Sequence, residues 1–133
     1  MVIGNRRQEL TRVVTAVDQF ASQNAISHDV VSDLQVAISE ILTNILDYGY
    51  TDAGEHNINI RMRLADDAVE VTITDDGIPF NPLSRDLSDV RMPLDARRIG
   101  GLGIHFVRNL MNEVRYHRLG NHNCLMLRRN TTI

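Results

Sequence analysis

Apolar residues recur at helical spacing over the first third of the chain. Leu10, Val13, Val14, Val17 and Ala21 share one stripe of a helix expected from Asn5 to Gln23, with Asn5 placed to cap it. Leu34, Ile38, Ile41, Leu42 and Ile45 define a second helix from Ser27 to Asp47. Tyr48-Gly49-Tyr50 and Asp52-Ala53-Gly54 end it. The period then changes from helical to alternating. Ile58, Ile60, Met62 and Leu64 face one way and Asn57, Asn59, Arg61 and Arg63 the other, which predicts a strand with one buried and one wet face. Asp66-Asp67 turns the chain into a second such strand carrying Val69, Val71 and Ile73. From Asn81 to Arg98 the chain is polar, holds Pro82 and Pro93, and has no clear period. A loop of that length is expected to be mobile and functional. A third helix starts at Gly103 and buries Ile104, Val107, Leu110 and Met111. Strands from Glu113 to Arg118 and from Asn123 to Arg129 close the chain, paired across Leu119-Gly120-Asn121-His122.

Hairpin-joined strands with one wet face imply helices stacked on the other face. The expected fold class is therefore α+β, a two-layer α/β sandwich, rather than the alternating βαβ order of a dinucleotide-binding or P-loop fold. The 133 residues fit one domain spanning 1–133, and 43% hydrophobic composition suffices for a core.

Charge and composition narrow the partners. A net charge of -3, with no basic run interleaved with aromatics, argues against nucleic acid. No apolar stretch is long enough to span a bilayer and no signal-peptide pattern opens the chain. The lone cysteine, Cys124, has no internal disulfide partner, which suits the cytoplasm. Lysine is absent, so all 14 basic residues are Arg. That excludes a P-loop lysine, the strand lysine of ordinary protein kinases and Schiff-base chemistry. A bound phosphate would be held by backbone N–H groups, Arg or a metal.

Three short pieces carry candidate chemistry. Glu40 and Asn44 lie four apart and share a helix face. The plain reading is two solvated residues. Asn is a poor mid-helix residue, however, and its side-chain oxygen suits a metal, with a carboxylate one turn away to accept a proton. Asp75-Asp76-Gly77 follows a strand directly. It is a simple turn, or a place where Asp75 accepts from the amino group of adenine while Gly77 lets backbone approach the ring. Gly100-Gly101-Leu102-Gly103 opens a helix. It is a flexible hinge, or a set of bare N–H groups at a positive helix end suited to a triphosphate. His117, His122 and Cys124 lie around a hairpin and are expected to be surface residues rather than zinc ligands.

In this order, EILTNILDYGY (Glu40 to Tyr50), DDGIPFNP (Asp75 to Pro82) and RRIGGLGIHFVRNLMNEVRY (Arg97 to Tyr116) resemble the ATP-binding domains of the GHKL superfamily. Within it the chain is similar to the bacterial anti-sigma factor serine/threonine kinases. The resemblance runs from the first helix to Arg129. It implies a Bergerat-type sandwich, with a mostly antiparallel mixed sheet and helices on one face. It implies an ATP and Mg2+ site under a lid from Asn81 to Ile99. Glu40 would be the general base and Asn44 would help hold Mg2+. Asp75 and Gly77 would bind adenine, and Gly101 and Gly103 would contact phosphates. Asp47, Arg98 and Leu102 complete the implied nucleotide set. The implied partners are an anti-sigma factor antagonist of the STAS type, a sigma factor or equivalent regulator, and a second copy of the chain. The alternative is a non-catalytic, nucleotide-sensing module with the same protein partners. A histidine kinase's catalytic half is disfavoured, since no dimerisation helix with a phospho-accepting His precedes the domain. Three positions depart from the family pattern: Tyr48 replaces a frequent His, Pro79 the second glycine of the Asp-x-Gly-x-Gly box, and Met126 a Thr in the final strand.

Overall fold

The computed structural model describes residues 1–81, 83 and 102–131. Most of the expected loop from Asn81 to Arg98, together with Arg98 and Gly101, lies outside these residues.

Among the described residues five strands form one sheet in the order β1-β2-β3-β5-β4, and every pairing there is antiparallel. The strands are β1 (Val2–Gly4), β2 (Asn57–Ala65), β3 (Ala68–Asp75), β4 (Glu113–Leu119) and β5 (His122–Asn130). The α-helices among the described residues are α1 (Leu10–Gln23), α2 (His28–Tyr48) and α3 (Leu102–Leu110). This is the expected α+β sandwich, with a sheet that is antiparallel throughout the described residues rather than mixed.

Alternation decides which side of the sheet is covered. Ile58, Ile60, Val69, Val71, Ile73, Leu125 and Leu127 are buried in one cluster with Val13, Val17, Leu34, Ile38, Ile41 and Leu42 of the first two helices. Ile104 and Val107 of α3 join the same cluster. Burying one such side chain is worth about 1.5–3 kcal/mol, so this layer holds the helices on the sheet. On the opposite face Glu70 bridges Arg63 at 2.8 Å and Arg128 at 2.6 Å. Arg129 lies on the helix side and ties the sheet to α2 through Asp33 at 3.0 Å. The alternation of β2 fades at its end, where Leu64 is exposed.

Two expectations about the N-terminus are corrected. Val2–Gly4, to which the sequence pattern assigns no element, form an edge strand, with Val2 opposite Asn59 and Gly4 opposite Asn57. Asn5 caps nothing. Its Oδ1 accepts from the His56 N–H at 3.1 Å and its Nδ2 donates to the Gly54 carbonyl at 3.2 Å. Its polar atoms thus staple β1 to the approach of β2, and α1 begins only after a 3-10 turn at Arg7–Glu9. Val14, counted in the apolar stripe, is exposed. Both hairpins form where expected, with Asp66 and Gly120 at left-handed φ values of 56° and 57°.

Candidate functional site

The end of β3 and the C-terminal half of α2 meet at a pocket. Ile41, Asn44, Ile45 and Gly49 line it from the helix side. Asp75, Asn123 and Leu125 line it from the sheet, and Phe80 and Tyr116 close its rim. Apolar walls with a few polar side chains are the usual make-up of a small-molecule site.

Its polar residues are unusually buried. Asn44 is 3% exposed, Asp75 4% and Asn123 6%, and they are the buried polar residues among those described. Asp75 occupies the inward phase of β3, in line with Val71 and Ile73, so the strand aims it at α2. Its Oδ1 accepts from the Gly77 N–H at 2.9 Å and from Asn123 Nδ2 at 3.0 Å. Both hydrogen bonds found among the described residues use that oxygen, which leaves Oδ2 to take a donor from a ligand.

Gly77 is fixed by packing. Its N–H closes the turn on Asp75, and the next N–H, of Ile78, donates to the Gly49 carbonyl at 2.8 Å. A Cβ on Gly77 would stand 2.4 Å from that carbonyl oxygen and 2.9 Å from Asp75 Oδ1. Backbone thus presses on backbone, from the Asp-Asp-Gly turn to the end of α2. Gly77→Ala is expected to cost about 1–3 kcal/mol, the usual range for overpacking. Urea unfolding measures it, and an unchanged midpoint would show that the two segments separate freely.

Asn44 sits on α2 one turn after Glu40. Its Nδ2 is shut away from solvent with no hydrogen-bond partner among the described residues. An orphaned buried polar atom costs about 1–3 kcal/mol, so this nitrogen suits an acceptor beyond the described residues. A carboxamide oxygen is a hard ligand of the kind Mg2+ takes, and Mg2+ commonly uses one or two protein ligands beside substrate phosphates. No group of three or more His, Cys, Asp or Glu residues suited to a metal occurs among the described residues. The orphaned Nδ2 is a donor suited to an acceptor such as a phosphate oxygen, and it is the oxygen end of the Asn44 amide that would fit a Mg2+ held together with a bound polyphosphate. Glu40 is half-buried and makes no hydrogen bond or ion pair among the described residues.

The remaining implied residues divide. Asp47 is not brought to the pocket; its carboxylate pairs with Arg7 at the start of the chain. Leu102 and Gly103 open α3, which begins one residue earlier than expected. Tyr48, in place of the family's His, stacks on Phe80 with ring centroids 6.3 Å apart. The final-strand position needs correction. Met126 lies opposite Thr72 on the outer face, and the side chain that reaches Asp75 is Asn123.

Sequence reading missed Asn123, Tyr116 and the apolar wall of Ile41, Ile45 and Leu125 as parts of one site. One signal was present. Asn123, Leu125 and Leu127 share a phase of β5, and a polar residue in that inward phase asks for partners.

A second cluster borders the Asp-Asp-Gly turn. The His56 ring stacks on Tyr50 with centroids 4.2 Å apart. Its Nε2 lies 2.8 Å from Asp52 and its Nδ1 3.1 Å from Asp76. Hydrogen bonds to Asp52, then to Asp76, raise the His56 pKa above its ordinary 6.5. The hydrogen bond from His56 lowers that of Asp52. Burial, with the charges of Asp75, Asp76 and Asp52, pushes the Tyr50 hydroxyl up. The folded state binds the His56 proton more tightly than the unfolded chain. The stabilisation is fully present below pH 6.5 and is lost as pH rises through the higher folded pKa. The Asp52 contribution is lost on the acid side, as pH falls through its lowered value. Urea midpoints measured across pH 6 to 9 should fall with rising pH in the wild type and stay flatter in His56→Gln. Equal slopes would remove the cluster as the cause.

The sandwich, with its pocket between α2 and the ends of β3 and β5, defines the class. The family described as "Histidine kinase-like ATPase domain" matches residues 4–129, and the chain belongs to it. Among curated relatives it is similar to "Serine-protein kinase RsbW" of Bacillus subtilis, 31% identical over 99 residues, covering 71% of this chain and 62% of the relative. The protein of that name from Listeria monocytogenes is 29% identical over 101 residues, covering 73% of this chain and 64% of the relative. The chain thus spans just over three fifths of the length of these relatives. Two solved structures share the fold. The RsbU and RsbW domains of a Mycobacterium tuberculosis protein align with a TM-score of 0.65 and 17% identity, over 98% of this chain and 32% of that one. The histidine kinase domain of an Erythrobacter litoralis blue-light activated kinase gives 0.61 and 19%, over 92% and 59%. No helix among the described residues is long and apolar enough to cross a membrane.

Proposed function

We propose that this chain binds ATP and transfers its γ-phosphate to a serine or threonine of a protein partner, an anti-sigma factor antagonist of the STAS type. The observation that carries the reading is the buried Asn44 amide, its nitrogen without a partner among the described residues, lining the same pocket as Asp75 on a family-matched frame. The relatives' name, serine-protein kinase, supports the reaction class.

Adenine lies between Ile41, Ile45 and Leu125, with its amino group donating to Asp75. The phosphates run towards the start of α3, since the N–H groups of a helix's first turn favour anions. Asn44 helps hold Mg2+, which when bound neutralises charge on the phosphates. The partner's hydroxyl oxygen attacks the γ-phosphorus in line. The bond to the bridging oxygen breaks, ADP leaves, and the hydroxyl proton passes to Glu40. By the same reading the chain also binds a sigma factor or equivalent regulator, pairs with a second copy of itself, and works in the cytoplasm with Mg2+ as cofactor.

The test is direct. The chain is mixed with the candidate antagonist from its own host and radiolabelled MgATP, and phosphoserine or phosphothreonine is sought. Labelled antagonist is the expected result. Tyr48, stacked on Phe80 where the family often has His, is the observation that favours a non-catalytic nucleotide-sensing module. MgATP binding without transfer to any antagonist from the host would select that second reading.

A further inference from the structure

We infer that His56 is a positioning residue for the nucleotide pocket: as an imidazolium it latches the Asp-Asp-Gly turn to the chain just past α2, and as a neutral ring it lets the turn go. Nucleotide affinity then depends on the proton of His56, a residue that does not line the pocket. This rests on the reading that the pocket holds a nucleotide.

Both ring nitrogens of His56 meet a carboxylate. Nδ1 lies 3.1 Å from Asp76 Oδ1 and 3.3 Å from its Oδ2, and Nε2 lies 2.8 Å from Asp52 Oδ1. Ionised carboxylates only accept, so both contacts are hydrogen bonds only when both nitrogens carry a proton. A neutral imidazole has one N–H, and its other nitrogen then turns a lone pair on a carboxylate. One contact must open. Asp52 is the nearer partner, and the Gly54 N–H donates to the same Oδ1 at 2.6 Å and holds it in place. Asp76 has no other partner among the described residues, so the Asp76 contact is the one released.

Asp76 stands between Asp75, which lines the pocket, and Gly77, which packs on Gly49. One anchor of this turn is the Ile78 N–H, which donates to the Gly49 carbonyl at 2.8 Å. His56 supplies the second. Its ring stacks on Tyr50, the residue after Gly49, with planes 17° apart, and from there it reaches Asp76. Losing the Asp76 contact therefore loosens the junction of turn and helix end that walls the pocket. The groups that face the ring are Asp52 from the loop after α2, Asp76 from the turn after β3 and the ring of Tyr50. Towards β1, the crevice beside it is lined by Arg6, Glu9 and Glu55, and Glu9 is engaged by Arg12 at 2.9 Å. Imidazole is the one group among them whose ordinary pKa lies in the neutral range. Hydrogen bonds to Asp52 and Asp76 raise it above 6.5, so affinity is full below pH 6.5 and falls as pH rises through the higher folded value.

The test is the pH profile of MgATP binding, measured by calorimetry on the full chain at about pH 6 and about pH 9. His56→Gln run alongside cancels the titration of the nucleotide itself, with thermal melting as the control for folding. From the lower pH to the higher, the wild-type Kd should rise by about fivefold more than that of His56→Gln, the lower end of the usual coupling between two sites. In Asp76→Asn the carboxamide can either accept from Nδ1 or donate to it, so the latch holds with a neutral ring. That variant should keep its affinity at the higher pH, whereas a residue that served the fold alone would weaken binding equally at both. A second readout needs no variant. Coupling is reciprocal, so the His56 pKa followed by nuclear magnetic resonance should rise when MgATP saturates the chain. Equal pH profiles in wild type and His56→Gln, or a His56 pKa unmoved by MgATP, would overturn the proposal while the pocket still bound nucleotide. A wild type that binds no MgATP at either pH would remove the nucleotide reading and this inference with it.

Discussion

Glu40→Gln is expected to slow phosphate transfer to the protein partner by about 10²–10⁴-fold, the usual contribution of a positioned base. A serine hydroxyl is a weak nucleophile, and its proton must leave as the bond to phosphorus forms. Glu40 is placed one helical turn before Asn44 on α2, half-buried and without a partner among the described residues, so nothing there competes for its oxygens. Gln keeps the size and polarity and removes the basicity. Affinity for MgATP should stay within about twofold, because the base acts only in the transfer step. Single-turnover transfer and calorimetry on the same preparation separate the two effects. A fall in affinity that matched the fall in rate would assign Glu40 to binding and not to proton transfer.

Asp75→Asn is expected to weaken ATP and ADP alike by about 1.5–3 kcal/mol, the worth of a hydrogen bond to a charged group, or about 10-fold to 150-fold in Kd. The contact is to the base, so the number of phosphates should not matter. The Asn variant keeps an oxygen for one side of the network but offers an amide on the other, where the ligand's amino group would then meet a second donor. Transfer at saturating ATP should change little, which distinguishes this variant from Glu40→Gln. Unchanged affinity by calorimetry would remove Asp75 from the site.

What could be read from the sequence follows from how each feature is held. The long helix α2 and the two hairpins were legible because their apolar period runs for many residues and matches burial almost position by position. The strand β1 was not, because three residues carry no period; cross-strand pairing to β2 makes it a strand. Asn5 looked like a helix cap because local chemistry permits that role, but its partners lie some fifty residues away at Gly54 and His56. The pocket was half legible. Asn44 and Asp75 stood out by residue type and spacing, and both are buried on the same cavity. Asp47 and Asn123 show the limit in opposite directions. Asp47 shares the helix with Asn44 but is drawn to Arg7. Asn123 carries no motif and is central because strand pairing sets it beside Asp75. A shift of three residues along β5, from Asn123 to Met126, moves the side chain to the other face of the sheet, so the final strand must be aligned in its register before it can be read.

The central claim is that one pocket, between Asn44 and the Asp75–Asn123 pair, holds the base of ATP. Nuclear magnetic resonance of the 15N-labelled chain during titration with MgATP tests it most directly. The amide signals of Gly49 and Gly77 and the side-chain amides of Asn44 and Asn123 should shift together and saturate with a single Kd. Signals of the outer sheet face, such as Arg61 and Thr72, should stay in place. Shifts confined to the outer face, or no saturable shift at Asn44 and Asn123, would contradict the account.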